Sequence, residues 1–374
     1  MRCWIELSKK ALVNNYKLFE SISKPGTFVP VIKSNAYGHG LAEVFEILNT
    51  LEPEIIAVNY VEEAQELRQL GFKKRILIVG PVPQNLYPQV QEIDAEFFLG
   101  DQFSVNEWLT LETKPKAHIK VDTGMSRQGF HPHEVDDLSH QLKKHKKQII
   151  GIASHFSNVE DVMELSYAHT QVERFHKATK TMEEQGFKLT PHMASSASTL
   201  LMDHMRVGLT RVGISLYGLW PSQATKLSYL KNHKELEDLR PVLNWKTEVA
   251  LVKTIQAGDF IGYGCTYRAM TDMNVAVLPV GYYEGYPRLA SGRGSYVLIK
   301  GKRCPIVGRI CMNMMTVDIT SLDKIQTGEV VTLIGKDQDE IVDADTFAGW
   351  AETIHYEALT CLNAKIPRRI IDDC

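Results

Sequence analysis

TFVPVIKSNAYGHG, residues 27–40, sets an apolar run against a lysine and then a string of small polar residues and glycines. Thr27-Phe28-Val29-Pro30-Val31-Ile32 reads as a core strand. It is rich in β-branched and aromatic residues and lacks polar alternation, as strands buried on both faces of a parallel sheet do. Lys33 follows where such a strand reaches the edge of its sheet. Three readings compete for it: an amine snorkelling to water, a grip on an anion, or a reactive amine. The glycines and Tyr37 after it point to a close backbone approach to something.

Working outward, seven more stretches share this character: 55–59, 76–79, 96–99, 117–121, 149–153, 190–194 and 207–217. Helical stretches lie between them. Leu41, Val44, Phe45 and Leu48 share one face; so do Val172, Phe175, Thr179 and Met182, with Gly186 as a stop. Eight strand-then-helix units in roughly 200 residues is the count of a (β/α)8 barrel. The alternative is an open doubly wound sheet, but no GxGxxG follows the first strand. After the polar stretch 226–238 the pattern changes. Strands at 243–252, 275–279, 296–300, 315–319 and 330–334 are separated by Gly and Asp/Asn turns, with one helix over 344–356. The expected fold class is α/β: an N-terminal (β/α)8, TIM-like barrel and a C-terminal mainly-β domain.

The 374 residues are 44% apolar and 23% charged with net charge −3, so nothing electrostatic recommends nucleic acid or an anionic membrane as partner. MRCWIELSKKALVNN lacks an apolar signal core, and no apolar run approaches a membrane span. Six scattered cysteines (Cys3, Cys265, Cys304, Cys311, Cys361, Cys374) without CxxC spacing fit a reducing cytoplasm and argue against a zinc site.

In a parallel barrel, chemistry sits at the C-terminal ends of the strands. Lys33, then Lys120 and Asp122 before Thr123-Gly124-Met125-Ser126-Arg127, His155, Ser195-Ser196, and Arg211 with Gly213 all fall at such ends. One mouth would hold two amines, two guanidiniums and an imidazole. The loops after the last two strands commonly take a phosphate there. This excess of positive charge predicts an anionic ligand. Each member has a plainer reading. His155 is equally a hydrogen-bonded core residue, Ser195-Ser196 a helix N-cap, and Arg211 beside Val212 and Ile214 a guanidinium that burial forces into partnership. His131-Pro132-His133 lacks a third metal ligand and reads as a surface loop. Asp337-Gln338-Asp339-Glu340 lacks the glycine of a calcium loop and sits where a hairpin turn is expected. Ser291-Gly292-Arg293-Gly294-Ser295 lacks the lysine of a P-loop. In the β region, tyrosines cluster in GYGCTY, 262–267, and GYYEGY, 281–286.

PVIKSNAYGHG, KVDTGMSRQGF, the His155-Phe156 strand end, RVGISLYG, GYGCTY and VGRICMNMMTVD, in that order, resemble the pyridoxal-phosphate (PLP) dependent alanine racemases. The resemblance runs to Ile366-Pro367-Arg368. It implies three segments: 1–7 as a strand joined to the β domain, 8–235 as the PLP-binding barrel and 236–374 as the β domain. It implies a cytoplasmic homodimer with shared active sites, a small amino-acid substrate, D-alanine for peptidoglycan, and PLP as cofactor.

Residue by residue, Lys33 matches the lysine that holds PLP. Tyr37, Ser196, the backbone of Gly213 and Ile214, and Tyr356 match the phosphate cradle. His155 matches the residue packed on the pyridine ring, and Arg211 the arginine at its nitrogen. Arg127 and the Met312 N–H match groups at the substrate carboxylate. Lys120 matches a lysine carbamylated in some members, and Tyr282 an entry-corridor tyrosine. Tyr263 matches the second base, supplied from the partner subunit. Two bases are needed because one rigid base reaches one face of the α-carbon. An arginine at the pyridine nitrogen keeps its own proton, which weakens the electron sink and suits a racemase better than a decarboxylase. Ser195 and Asn313 depart from the family's usual Asn and Asp. Asn313 borders the substrate pocket, so a broader-specificity racemase, for serine among others, is the alternative reading. A non-catalytic PLP-binding homeostasis protein is another, against which the β domain and Tyr263 stand.

Overall fold

Strand β1 (Cys3–Ser8) belongs to the β unit described below. The next eight strands alternate with helices and run parallel: β2 (Thr27–Pro30), β3 (Ile55–Val58), β4 (Arg75–Ile78), β5 (Glu96–Leu99), β6 (Ala117–Lys120), β7 (Ile149–Ala153), β8 (Thr190–His192) and β9 (Leu209–Val212). β3 to β8 form one sheet in sequence order, and β2 pairs with β9. The ring closes at both junctions. Ile32 N–H donates to the Ala57 carbonyl at 2.9 Å, and Arg211 N–H to the Ala194 carbonyl at 3.3 Å. The strands are three to five residues long and almost wholly buried, which is why their sequences read as continuous apolar runs. The computed structural model describes residues 2–232 and 239–372; the junction expected at 235/236 and Cys374 lie outside the described residues.

The expected 207–217 strand is shorter. β9 stops at Val212, and Ile214–Tyr217 is a 3-10 turn ending at Gly218, φ +80°. A Cβ on Gly218 would lie 1.9 Å from the Arg240 carbonyl oxygen, so only glycine closes that turn. The residues are apolar because they are buried, not because they are extended.

The second unit comprises 2–10, 37–43 and 242–372 among the described residues. Its strands are β10 (Leu243–Glu248), β11 (Leu251–Ile255), β12 (Phe260–Ile261), β13 (Tyr267–Arg268), β14 (Met273–Leu278), β15 (Tyr296–Ile299), β16 (Lys302–Pro305), β17 (Met315–Asp318), β18 (Val330–Asp337), β19 (Glu340–Val342) and β20 (Arg368–Ile371). The main sheet runs β16-β15-β18-β10-β1-β20, with β19 paired to β18, and β11-β14-β17 forms a second. Trp245, Tyr286 and Phe347 pack as a fully buried aromatic trio, with centroids 5.1 to 6.0 Å apart.

Two expectations change here. The single strand at 243–252 is two strands, β10 and β11, in different sheets. Val249 N–H donates to Glu329 and Ala250 N–H to Val277, so the chain changes partner between them. The single helix at 344–356 is two, Ala344–Trp350 and His355–Thr360. Glu352 at φ +54° ends the first. Thr353 N–H reaches back to the Ala348 carbonyl and Glu352 N–H to Gly349, the paired bonds of a Schellman stop. Asp337-Gln338-Asp339-Glu340 is a two-residue hairpin turn, with Asp337 opposite Glu340 and Gln338 at φ +54°. Among the described residues no helix is long and apolar enough to cross a membrane.

Candidate active site

The chain leaves the first barrel strand in an uncommon way. Ser34, Asn35, Ala36 and Tyr37 have φ between +52° and +56°, one turn of left-handed helix directly after Lys33. Each L-residue so placed costs about 1–2 kcal/mol, and such strain persists only where surroundings impose it. Glu63 supplies much of that constraint. Its Oε1 accepts from Ser34 N–H at 2.5 Å, and its Oε2 from Asn59 N–H at 2.8 Å and Tyr60 N–H at 3.2 Å. The close approach foreseen for the following glycines is to the chain's own backbone: a Cβ on Gly38 would sit 2.0 Å from the Leu359 carbonyl oxygen.

The barrel brings five of the expected cationic or basic groups together. Burial first, then the charges of Arg127 and Arg211, lower the Lys33 pKa, with Glu63 pulling the other way. Burial, Arg211 and Arg127 push Lys120 well below the usual lysine value. Burial, Arg211 and Lys120 do the same to His155. Arg211 itself is brought to about 10 by burial and Arg127. None of Lys33, Lys120, Arg127 and Arg211 forms an ion pair among the described residues. Lys120 instead lies over the Phe98 ring at 5.6 Å. Cations packed this densely without carboxylate partners are organised for an anionic ligand.

Asp122 holds the loop that carries Arg127. Its Oδ1 accepts from the N–H groups of Gly124, Met125 and Ser126 at 2.8 to 3.1 Å, and its Oδ2 from Arg127 N–H at 3.1 Å. Burial raises its pKa, but these four bonds outweigh it and the carboxyl titrates below its usual range. Ser195 caps the helix Ser196–Leu201, its N–H donating to Ser198 Oγ at 2.7 Å. Both serines follow β8 rather than ending it. Ser196 Oγ accepts from Gly213 N–H at 3.1 Å. The neighbouring Ile214 is buried, and its N–H has no partner among the described residues.

In the β unit, the Tyr37 and Tyr356 rings lie 6.5 Å apart, and burial pushes the Tyr37 phenol up to about 12. Tyr263 sits in the turn Tyr263–Cys265 between Gly262 (φ +77°) and Gly264 (φ +75°), and 71% of it is exposed. The loop of Tyr282 and Tyr283 bonds the Cys311–Met314 turn: Tyr282 N–H donates to Cys311 and Tyr283 N–H to Met312. The Met312 N–H has no partner among the described residues. Asn313 Nδ2 donates to Glu284 Oε1 at 2.8 Å, while Glu284 Oε2 accepts from Gly281 N–H.

No sequence motif singles out Glu63, Glu284 or three residues inside the barrel, Glu96, His118 and His192. The last three lie within short, largely buried strands. A polar residue in a strand buried on both faces was the available signal, because burial there demands a partner.

The chain matches the profile "Alanine racemase, N-terminal domain" over residues 7–221 and "Alanine racemase, C-terminal domain" over 242–370. It is 37% identical to the alanine racemase of Leptospira interrogans, over 99% of this chain and 96% of that protein. With that of Methanococcus maripaludis it shares 34% identity over 98% and 97%. Among solved structures it superposes on alanine racemase from Bacillus anthracis with bound L-Ala-P at a TM-score of 0.89 and 30% identity, covering 99% of this chain and 95% of that one. For the enzyme of Streptomyces lavendulae the TM-score is 0.90 at 27% identity, covering 99% and 97%. The chain therefore belongs to the alanine racemase family.

Proposed function

We propose that the protein interconverts L- and D-alanine as a PLP-dependent homodimer in the cytoplasm, supplying D-alanine for peptidoglycan. The observation that carries the reading is the unpaired cation cluster around Lys33. It fits PLP: a depressed-pKa amine for the aldehyde, buried donors for the anionic groups, and the partnerless Ile214 N–H beside Ser196 for the phosphate. Bound PLP withdraws electrons from the substrate's α-carbon and so loosens its proton.

In this reading Lys33 holds the cofactor and, once free, moves the proton on one face of the α-carbon. Tyr263 of the partner subunit moves it on the other face. Tyr37, Tyr356, Ser196 and the N–H groups of Gly213 and Ile214 bind the phosphate. His155 packs on the pyridine ring and Arg211 donates to its nitrogen. Arg127 and the Met312 N–H orient the substrate carboxylate, with Lys120, Tyr282 and Asn313 in support. No disulfide joins the five described cysteines, which suits the reducing cytoplasm. The division into 1–7, 8–235 and 236–374 belongs to the same proposal.

Proton NMR of the PLP-loaded protein with L-alanine in D2O, followed by chiral analysis, tests it. Loss of the α-proton signal together with D-alanine is the expected result. Exchange with serine and not alanine would transfer the reading to the broader-specificity racemase. Bound PLP without exchange of any amino acid would leave a binding protein.

A further inference from the structure

A row of hydrogen-bonded polar side chains crosses the apolar interior of the barrel from β4 to β9. At its outer end Arg75 grips the Glu96 carboxylate through Nε at 2.7 Å and Nη2 at 3.0 Å. Glu96 Oε2 lies 3.0 Å from His118 Nε2, and His118 Nδ1 lies 2.9 Å from His192 Nε2. His192 Nδ1 lies 2.6 Å from Arg211 Nη1. Both imidazoles are completely buried.

The two ends of the row run in one chemical direction. A carboxylate only accepts and a guanidinium only donates. His118 must therefore donate through Nε2 to Glu96, and a neutral ring then offers Nδ1 as acceptor. His192 must accept from Arg211 through Nδ1, so its proton sits on Nε2 and donates to His118. A charged ring at either place breaks the row, because it sets an N–H of His192 against the Arg211 N–H. Burial acts in the same sense, lowering the pKa of both histidines. One arrangement of protons satisfies every contact.

The backbone is built for this row. β7 lies between β6 and β8, and its Gly151 is the register partner of His118. A Cβ there would lie 2.0 Å from His118 Nδ1. The missing side chain is the space through which the His118 ring reaches His192. Phe98 flanks the two rings, with centroids 6.2 and 5.8 Å away.

At the inner end, Arg211 Nη1 also donates to the His192 carbonyl and Nη2 to the Ser154 carbonyl, both at 2.8 Å. Three of the five guanidinium donors are thus committed. The Nε proton and one on Nη2 remain. We infer that Glu96 and His118 are positioning residues for Arg211: they impose the Nε2–H tautomer on His192, whose Nδ1 lone pair then fixes the guanidinium and directs its remaining donors to the ligand. That this ligand atom is the cofactor's ring nitrogen rests on the proposed function; the proton order stands on the row's own geometry.

Neutron diffraction from deuterium-exchanged crystals of the PLP-loaded protein reads the proton order directly. Deuterium on Nε2 and not on Nδ1 of both His118 and His192 is expected. Deuterium on Nδ1 of either ring overturns the inference. The functional arm compares His118→Leu, which removes the acceptor, with His118→Asn, whose amide oxygen falls near the Nδ1 position. His118→Leu is expected to lower kcat about 10- to 100-fold, as loss of a supporting partner commonly does, and to shift the visible band of the bound cofactor. His118→Asn should recover most of both. Wild-type kcat and spectrum in His118→Leu would refute the positioning role. If His118→Leu does not fold, Glu96→Gln takes its place in the same comparison, and the neutron map decides regardless. A wild-type protein that binds PLP without racemising anything would sink the proposed function while leaving the tautomers to be read.

Discussion

Asn313 shows how one residue is set by its neighbour. Its amide donates to the buried Glu284, whose other oxygen is held by Gly281 N–H. An aspartate at the same position would bring two carboxylates to 2.8 Å. One of the pair would then titrate above its ordinary value. A raised carboxyl pKa binds more protons in the folded than in the unfolded state, so stability falls as pH rises. Asn313→Asp should therefore melt close to wild type at pH 5 and clearly below it at pH 8; an equal gap at both would show that the contact does not matter. At the same scale, Tyr263→Phe should keep the PLP absorbance and lose most L-to-D turnover, since its exposed hydroxyl is the group assigned to proton transfer. Turnover near wild type would remove Tyr263 as a base. Tyr263 is legible from its motif. The Glu284 contact is not, because nothing in GYYEGY reveals which side chain lies opposite.

The turn Ser34–Tyr37 belongs to the scale of elements. Small residues and glycines after Lys33 signal a close approach. The left-handed turn itself was not legible, because four non-glycine residues in that region defy local preference. It is imposed from a distance: Glu63, on the helix Val61–Gln69, caps Ser34 from 29 positions away. Glu63→Ala removes acceptors from three backbone N–H groups and should cost about 1–3 kcal/mol, with hydrogen exchange quickening around residues 33–37. Unchanged exchange there would show that the turn stands without it. The shortened β9 and the divided helix at 344–360 follow the same logic. Apolar residues marked burial correctly, but the bend at Gly213 (φ −103°, ψ −94°) ends β9 and the positive φ of Glu352 ends the first helix.

For the whole molecule, the buried groups set an acid limit. His118, His155 and His192 titrate below the ordinary imidazole value near 6.5, chiefly through burial. The unfolded chain binds those protons first, so stability falls as pH drops below about 6.5. Burial raises the Glu96 carboxyl, but His118 and Arg75 outweigh it and hold it at about 2, so its contribution is lost as pH falls from about 4.5 toward 2. The urea midpoint should therefore decline from pH 7 to pH 5 and steeply below. A flat profile across that interval would mean that these histidines take up protons in the folded protein as readily as in the unfolded chain.

The (β/α)8 plan, the change to a β domain and a set of cations at strand ends are legible along the chain. Those follow from burial and periodicity, which each segment records locally. Tertiary structure alone decided that Glu63 would hold the turn after Lys33, that Gly151 would leave room for His118, and that Glu96, His118, His192 and Arg211 would join in one row. The physical reason is separation along the chain. A hydrogen bond depends on which side chains meet across strands 19 to 74 residues apart, and no local pattern encodes that meeting.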